Sequence, residues 1–118
     1  PPVAIPEGVI GTRPLNLEIG GTPVLLFRDP ATGRVKGFER VYARRSSRFI
    51  ANPSRRRAAK GVFMLDVATN SGWNVNGVAI DGEKEIIGEK LKPLTNFDED
   101  LYLGVLQHWY ADLQLIAP

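Results

Sequence analysis

The sequence contains no cysteine and a single histidine among its 118 residues. Without a thiolate, the chain by itself supplies no disulfide, iron–sulfur ligand, cysteine nucleophile or cysteine-ligated zinc. One histidine with no second histidine and no cysteine is too few for a closed transition-metal site. These absences exclude the commonest thiol and metal chemistries, and we expect no cofactor.

Long apolar runs are also missing, and none approaches the ~20 residues that a membrane-spanning helix needs. The sequence has no fixed-period repeat, no Gly-rich phosphate loop and no serine on a nucleophile elbow. The hydrophobic fraction of 43% and the charged fraction of 24% are ordinary for a globular protein. We therefore predict a conventionally packed domain that is not an enzyme and does not span a membrane.

Prolines concentrate at the start of the chain, at Pro1, Pro2 and Pro6. They favour an extended Pro-rich arm over residues 1–14, and a poorly ordered terminus is the competing interpretation. Residues 15–118 are then a single β-rich domain, of a size that buries roughly two-thirds of its unfolded surface.

Short apolar segments separated by turn residues predict a mainly β fold, a small barrel or sandwich of about seven short strands. Gly20-Gly21 is typical of a tight hairpin turn. Residues 46–59 are predicted to form a polar loop, with a short strand at Phe49 and Ile50. The predicted strands are 15–19, 22–27, 34–43, 61–67, 73–80, 86–91 and 113–116.

One C-terminal α-helix is predicted over Phe97–Tyr110, where apolar residues recur at i, i+4 spacing. Three carboxylates at its start, Asp98, Glu99 and Asp100, suit the positive end of a helix dipole. Calcium binding by the same carboxylates is less favoured, because they lack the loop spacing of a calcium site. His108 near the helix end is either a ligand or base, or a charge favoured by the dipole, and a lone histidine favours the second.

Charge is divided unevenly along the chain, beneath a net charge of only +2. Residues 1–61 carry twelve Lys/Arg against four Asp/Glu, a net of +8, and residues 62–118 carry three against nine, a net of −6. Most of the positive charge lies between Arg40 and Lys60, and we call this stretch the basic segment. Such a segment is typical of contact with phosphate groups, an acidic protein or a membrane surface. Its candidate partner-binding residues are Arg44, Arg45, Arg48, Arg55, Arg56 and Arg57.

Three interpretations of this basic segment compete. Its arginines pair with the acidic half of the same domain, as a solvated surface. They contact another protein subunit, or the acidic face of a second copy of the chain. They bind nucleic acid, with Tyr42 and Phe49 available to stack on bases. No RNA-binding signature accompanies them, so nucleic acid is the less favoured partner.

Several spaced motifs resemble those of a known family. They are Ile19-Gly20-Gly21-x-Pro23-Val24, Phe38-x-Arg40, Asp66-x-x-Thr69-x-Ser71-x-Trp73, Gly77-x-Ala79, Gly88-x-x-Leu91-x-Pro93 and Trp109 before Asp112. By their order and spacing the chain resembles, over residues 15 to 117, a widespread family of bacterial and archaeal proteins that are often exported. That family is known only as a domain of unknown function.

The chain departs from the family at one turn. Family members carry a C-P-x-C-G motif after the second strand, where this sequence reads Asp29-Pro30-Ala31-Thr32-Gly33. The proline and glycine that shape the turn are kept, and both cysteines are absent. The resemblance therefore implies a retained fold without thiol chemistry, in an extracytoplasmic location, either the cell envelope or the medium.

These observations together predict a non-enzymatic structural or interaction module. We expect a subunit or appended domain of an envelope or extracellular assembly, with the six arginines on its contact surface. The alternative is an anionic-polymer or nucleic-acid binding domain that uses the segment Arg44–Arg57.

Overall fold

A computed structural model describes residues 10–94 and the backbone of residues 114–115. The fold is mainly β, as predicted, and the described residues form eleven short strands and one helix. The strands are β1 (Leu15–Ile19), β2 (Thr22–Arg28), β3 (Val35–Glu39), β4 (Val41–Tyr42), β5 (Arg45–Ser46), β6 (Phe49–Ala51), β7 (Met64–Asp66), β8 (Gly72–Trp73), β9 (Ala79–Asp81), β10 (Lys92–Pro93) and β11 (Gln114–Leu115), and the helix α1 is Arg55–Ala59.

The first sheet is antiparallel and has the order β10-β3-β2-β1-β11. Its centre is the predicted β1–β2 hairpin, closed by Gly20 and Gly21 with φ of 56° and 81°. Both turn residues need left-handed backbone, which glycine adopts without a steric penalty. The local glycine pair therefore sets the register of the first two strands.

Both faces of β2 are buried, because successive side chains of a strand point to opposite faces. Val24 and Leu26 pack with Leu17 on one face. Leu25 and Phe27 face the other way, into an aromatic cluster that includes Trp73 of the second sheet. The first sheet thus forms one layer of the core and packs on the second through this cluster.

The second sheet is also antiparallel, with the order β6-β7-β8-β9. Phe49, Met64 and Trp73 are among its inward residues, and each is at most 1% exposed. Tyr42 joins them from the separate β4–β5 hairpin, with its ring 4.8 Å from that of Trp73. The hairpin is thereby attached to the flank of the second sheet.

Several predicted elements differ from the structure for local reasons. The single strand predicted over 73–80 is two strands, because Asn74 Oδ1 accepts from the Asn76 and Val78 amides and turns the chain. The strand predicted over 34–43 divides into β3 and β4. The predicted 86–91 strand is a turn followed by one bridge from Val78 to Lys90. Shorter pieces explain why strands exceed the predicted seven.

Part of the predicted arm packs on the core, whereas the predicted helix is not among the described residues. Ile10, assigned to the arm, is 2% exposed and belongs to the core, and the carbonyl of Gly11 accepts from the Arg28 amide. Residues 10–14 therefore pack against the first sheet. The helix predicted over Phe97–Tyr110, with His108, lies outside the described residues.

Candidate partner-binding surface

Three parts of the basic segment contact one turn, Val67–Asn70, which lies between β7 and β8. The Val67 amide donates to the Arg48 carbonyl at 2.9 Å. On one side of the turn, Tyr42 of the hairpin lies 3.2 Å from Thr69 through its hydroxyl. On the other side, Arg57 of α1 donates to the Asn70 carbonyl at 2.8 Å. The three parts of the segment that carry arginines thus meet this turn from different directions.

Arg48 extends the β6–β7 ladder by one pair, because its carbonyl bonds Val67 next to the Phe49–Asp66 pair. Phe49 and Asp66 point inward and are buried. Alternation therefore places the side chains of Arg48, Ile50 and Val67 on the opposite side, together with Leu65. We call this side of the second sheet, with α1, the outer face.

Two aliphatic side chains of the outer face are open to solvent. Ile50 is 44% exposed and Val67 is 54% exposed, whereas Leu65 between them is 7% exposed. The outer face thus combines apolar area with the charge of Arg48.

Arg57 fastens α1 to the far side of the outer face. Its Nε donates to Asp81 Oδ2 at 2.8 Å, and its side chain is only 14% exposed. A guanidinium Nη2 lies 3.1 Å from the position that a Cβ at Gly72 would take. The absence of a side chain at Gly72 therefore leaves room for Arg57, and the guanidinium lowers the pKa of the Asp81 carboxyl.

Arg55 and Arg56 are exposed on α1, the helix that replaces part of the predicted loop. Ser54 caps its first turn by accepting from the Arg57 amide at 3.2 Å. Asn52 supports the cap, since its Oδ1 accepts from the Ser54 amide at 2.9 Å. The helix buries no residue completely, so its capping and Arg57 hold it in place.

Arg44 and Arg45 lie at the tip of the β4–β5 hairpin, and both are exposed. Ala43 and Arg44 form its two-residue turn with φ of 50° and 65°. Left-handed backbone at two non-glycine residues is unfavourable by about 1–2 kcal/mol each. The hairpin is sustained by burial of Tyr42, which is 6% exposed, rather than by its turn.

Arg40 precedes the hairpin and is buried, at 7% exposure. Its guanidinium donates to three backbone carbonyls: Leu17 at 2.9 Å, Val24 at 3.1 Å and Ser47 at 3.2 Å. Burial is the largest influence on this group and lowers its pKa. Arg40 therefore links the first sheet to Ser47, which lies just before β6. Its role is to stabilise the fold, and it is not part of the exposed basic surface.

The residues of the Asp66-to-Trp73 motif form a buried polar network. The Asp66 carboxylate accepts hydrogen bonds from the Tyr42 and Thr69 hydroxyls, and from the Ala68 amide at 2.9 Å. Thr69 Oγ1 lies 2.7 Å from Ser71 Oγ, which accepts from the indole of Trp73 at 2.9 Å. Desolvation, aided by the bond to Asp66, raises the pKa of Tyr42. The network organises the turn that the basic segment surrounds.

The turn that replaces the cysteine motif is closed by oxygen acceptors. Asp29 Oδ1 accepts from the Ala31 amide at 2.8 Å, and this bond is the first cause of its lowered pKa. Lys36 Nζ lies 3.1 Å from Asp29 Oδ2. Gly33, with φ of 74°, ends the turn by donating to the Asp29 carbonyl. The carboxylate thus satisfies the backbone of this turn without a thiol.

The basic segment is evident in the sequence, whereas its exposed apolar neighbours are not. Ile50 and Val67 were assigned to strands without a face, although alternation from buried Phe49 and Asp66 would have put them outside. The aromatic residues considered for base stacking, Tyr42 and Phe49, are 6% and 1% exposed. They are core residues, which removes them from any nucleic-acid surface.

Within residues 10–94, no group of three or more His, Asp or Glu side chains is arranged to hold a metal ion. The same part of the chain contains no helix with the length and apolarity to cross a membrane.

The class defined by this geometry is a small two-layer β protein with a mixed basic and apolar surface. Comparison of the chain with protein-family models, with curated proteins and with solved structures finds no match.

Proposed function

We propose that this domain is a non-enzymatic interaction module, a subunit or appended domain of an envelope or extracellular assembly, and that its outer face binds the partner. The observation that carries the proposal is the exposure of Ile50 and Val67 beside Arg48 on one face of the second sheet. Protein interfaces combine an apolar centre with arginine, whereas lysine and acidic residues are depleted there. The extracytoplasmic location rests on the family resemblance.

The rigid support beneath this surface favours the same function. Arg57 and its bonds to Asp81 and Asn70 hold α1 against the sheet. The Asp66 network holds the turn that carries Val67. A surface presented on fixed elements loses little conformational freedom on binding. Arg55 and Arg56 then supply charge at the rim of the contact, where charge steers association more than it adds affinity.

The first test is the native mass of the protein in its source, from undenatured envelope and medium fractions followed by peptide identification. We expect the chain to run inside a larger complex with protein subunits. A chain that runs alone near 13.0 kDa would overturn the proposal.

A pair of surface variants then tests the outer face. Ile50→Ser with Val67→Ser removes the apolar centre and leaves every charge in place. We expect this double variant to lose the co-migrating subunits while remaining folded. Arg34→Ser is the matched control, because Arg34 is exposed outside the basic segment and should leave the complex intact. If the double variant and the control retain the complex equally, the outer face is not the partner-binding surface.

The alternative, an anionic polymer bound by the same arginines, is supported by the exposed pairs Arg44–Arg45 and Arg55–Arg56. The two functions separate by salt dependence. Duplex nucleic acid predicts a logarithmic slope of affinity on salt near −0.9 for each phosphate neutralised. A protein interface centred on Ile50 and Val67 weakens far less with salt. A steep slope together with an unchanged affinity of the double serine variant would favour the polymer.

A further inference from the structure

The second sheet ends at β6, which pairs with β7 alone in the described part of the chain. Asn16 of β1 occupies one position on its outward edge. The Asn16 side-chain amide donates to the Phe49 carbonyl at 2.9 Å and accepts from the Phe49 amide at 2.9 Å. A primary amide has the donor and acceptor of a peptide group. Asn16 therefore bonds Phe49 as a neighbouring strand would.

The next outward position on β6 belongs to Ala51. In a strand, the residues whose N–H and C=O groups point to one side alternate. Phe49 bonds outward to Asn16, so Ile50 bonds inward, opposite Leu65. The N–H and C=O groups of Ala51 consequently point outward, about 6.6 Å farther along the edge. Within residues 10–94, the ladder that Asn16 begins is open at its second position.

A groove of about 240 Å³ lies beside this open position. That volume is below the ~300–1,000 Å³ of pockets that enclose small ligands. Exposed Arg13 contributes positive charge, exposed Ile50 contributes apolar area, and no carboxylate is among the described residues that line it. The lining residues are Arg13, Pro14, Asn16, Arg48, Phe49, Ile50 and Ala51.

We propose that the partner adds an extended, carboxylate-bearing segment to the β6 edge, continuing the ladder opposite Ala51. The backbone of the segment bonds the outward groups of Ala51, which is the usual mode of strand addition to a sheet edge. Its carboxylate lies against Arg13, and an apolar side chain of the segment packs on Ile50. This inference rests on the proposed function and names the form of the partner.

Charged side chains also protect sheet edges from unwanted pairing. The two roles predict different responses. A protected edge rejects every added strand, whereas this edge should accept an acidic strand and reject a basic one. The sign of the charge on an added segment therefore separates docking from protection.

The test uses the full chain, labelled for NMR, and a short capped peptide of alternating Glu and Val. We expect saturable binding, with slowed hydrogen exchange of the Ala51 amide in the complex. A peptide of alternating Lys and Val should bind about tenfold more weakly, because Arg13, which lines the groove, carries the same charge. The Glu-Val peptide with N-methyl groups on alternate amides should also lose binding, because it cannot complete the ladder.

Ala51→Pro tests the same bond from the protein side. Proline removes the outward N–H, a change that an edge strand tolerates. We expect about tenfold weaker binding of the Glu-Val peptide, whereas Ala51→Ser keeps the N–H and binds normally. Should the proline variant fail to fold, the N-methylated peptide tests the same bond.

The outcomes distinguish this inference from the proposed function. Peptide binding that perturbs Ile50 and Val67 but leaves Ala51 exchange unchanged overturns strand addition and leaves the outer face as the partner surface. No binding of either charged peptide overturns strand addition as well. The native-mass measurement decides the proposed function independently.

Discussion

At the scale of single residues, Gly77 allows the loop between β8 and β9 to pack closely on Phe38 of the first sheet. Its φ is 74°, and a Cβ there would lie 2.8 Å from the ring of Phe38. Phe38 is 5% exposed and stacks on Phe27 with ring centroids 6.0 Å apart, so it has little room to move. Gly33 has the same φ of 74°, yet nothing lies within 4 Å of its Cβ position.

This pair gives a matched stability experiment. Gly33→Ala should lower the free energy of unfolding by about 1 kcal/mol, from backbone strain alone. Gly77→Ala should lower it by about 2–4 kcal/mol, because overpacking against Phe38 adds to the strain. Urea unfolding measures both values. Equal losses would mean that Phe38 moves aside and that packing at this contact is loose.

Tyr42 is the second residue with a measurable role, because its hydroxyl donates to buried Asp66. Tyr42→Phe removes that donor and should lower the free energy of unfolding by about 1–3 kcal/mol.

The raised pKa of Tyr42 adds a pH signature. The folded state keeps the Tyr42 proton at pH values where the unfolded chain releases it, so this contribution to stability is complete below about pH 10 and is lost as pH rises further. Urea unfolding between pH 8 and 11 should therefore show a shallower alkaline decline for Tyr42→Phe than for the wild type. Parallel declines would contradict the assignment.

At the scale of elements, α1 is a helix that the local sequence does not predict. Its five residues include three consecutive arginines and no buried side chain, so neither length nor apolar periodicity indicates a helix. Ser54 and Asn52 were available as local signals, but the deciding contact is Arg57 with Asp81, 24 residues away. Interactions of that separation cannot be inferred from local pattern.

The dependence of α1 on one arginine is testable. Arg57→Ala should speed hydrogen exchange of the Ala58, Lys60 and Gly61 amides, because the capped turn loses its attachment to the sheet. Arg56→Ala on the same helix is the control and should leave these amides unchanged. Similar acceleration in both variants would mean that helix propensity, rather than the Arg57 clamp, sets their exchange.

Elements defined by local chemistry were predicted well. The β1–β2 hairpin follows from apolar strands around Gly20-Gly21, and its predicted start at Leu15 and its turn are confirmed. The strand predicted over 73–80 was wrong because Asn74 and Gly77 break it, although an Asn-x-Asn-Gly sequence is a turn signal. The outer face required knowledge of which residues β6 and β7 pair, which the sequence does not contain.

At the scale of the whole molecule, the uneven charge is partly neutralised within the fold. Arg57 of the basic half pairs with Asp81 of the acidic half. Lys92 with Glu39 also joins the two halves, but it pairs a minority charge of each and leaves the imbalance unchanged. The pairing interpretation of the basic segment thus holds for Arg57. Arg44, Arg45, Arg55 and Arg56 remain exposed, and the partner-binding role of the six arginines stays a prediction.

The stability of the fold at acid pH should depend on two carboxylates, those of Asp29 and Asp81. The pKa values of Asp29 and Asp81 are lowered by the Ala31 amide and the Arg57 guanidinium respectively. Their contributions are complete above the ordinary pKa near 3.8 and are lost as pH falls through the lower folded values. Thermal unfolding from pH 6 to 2 should therefore show a flatter acid limb for Asp29→Asn with Asp81→Asn than for the wild type. A limb of unchanged slope would contradict this.

The three carbonyl bonds of buried Arg40 bear on the order in which the chain folds. The β1–β2 and β2–β3 hairpins close short loops, whereas Arg40 joins Leu17 across 23 residues. Contacts of long sequence separation tend to form after local ones, because loop closure must come first. Arg40→Lys keeps the charge but not the planar fork that reaches three acceptors. Stopped-flow measurements on this variant should show faster unfolding with an almost unchanged refolding rate. That result would mean that the Arg40 contacts form after the transition state for folding.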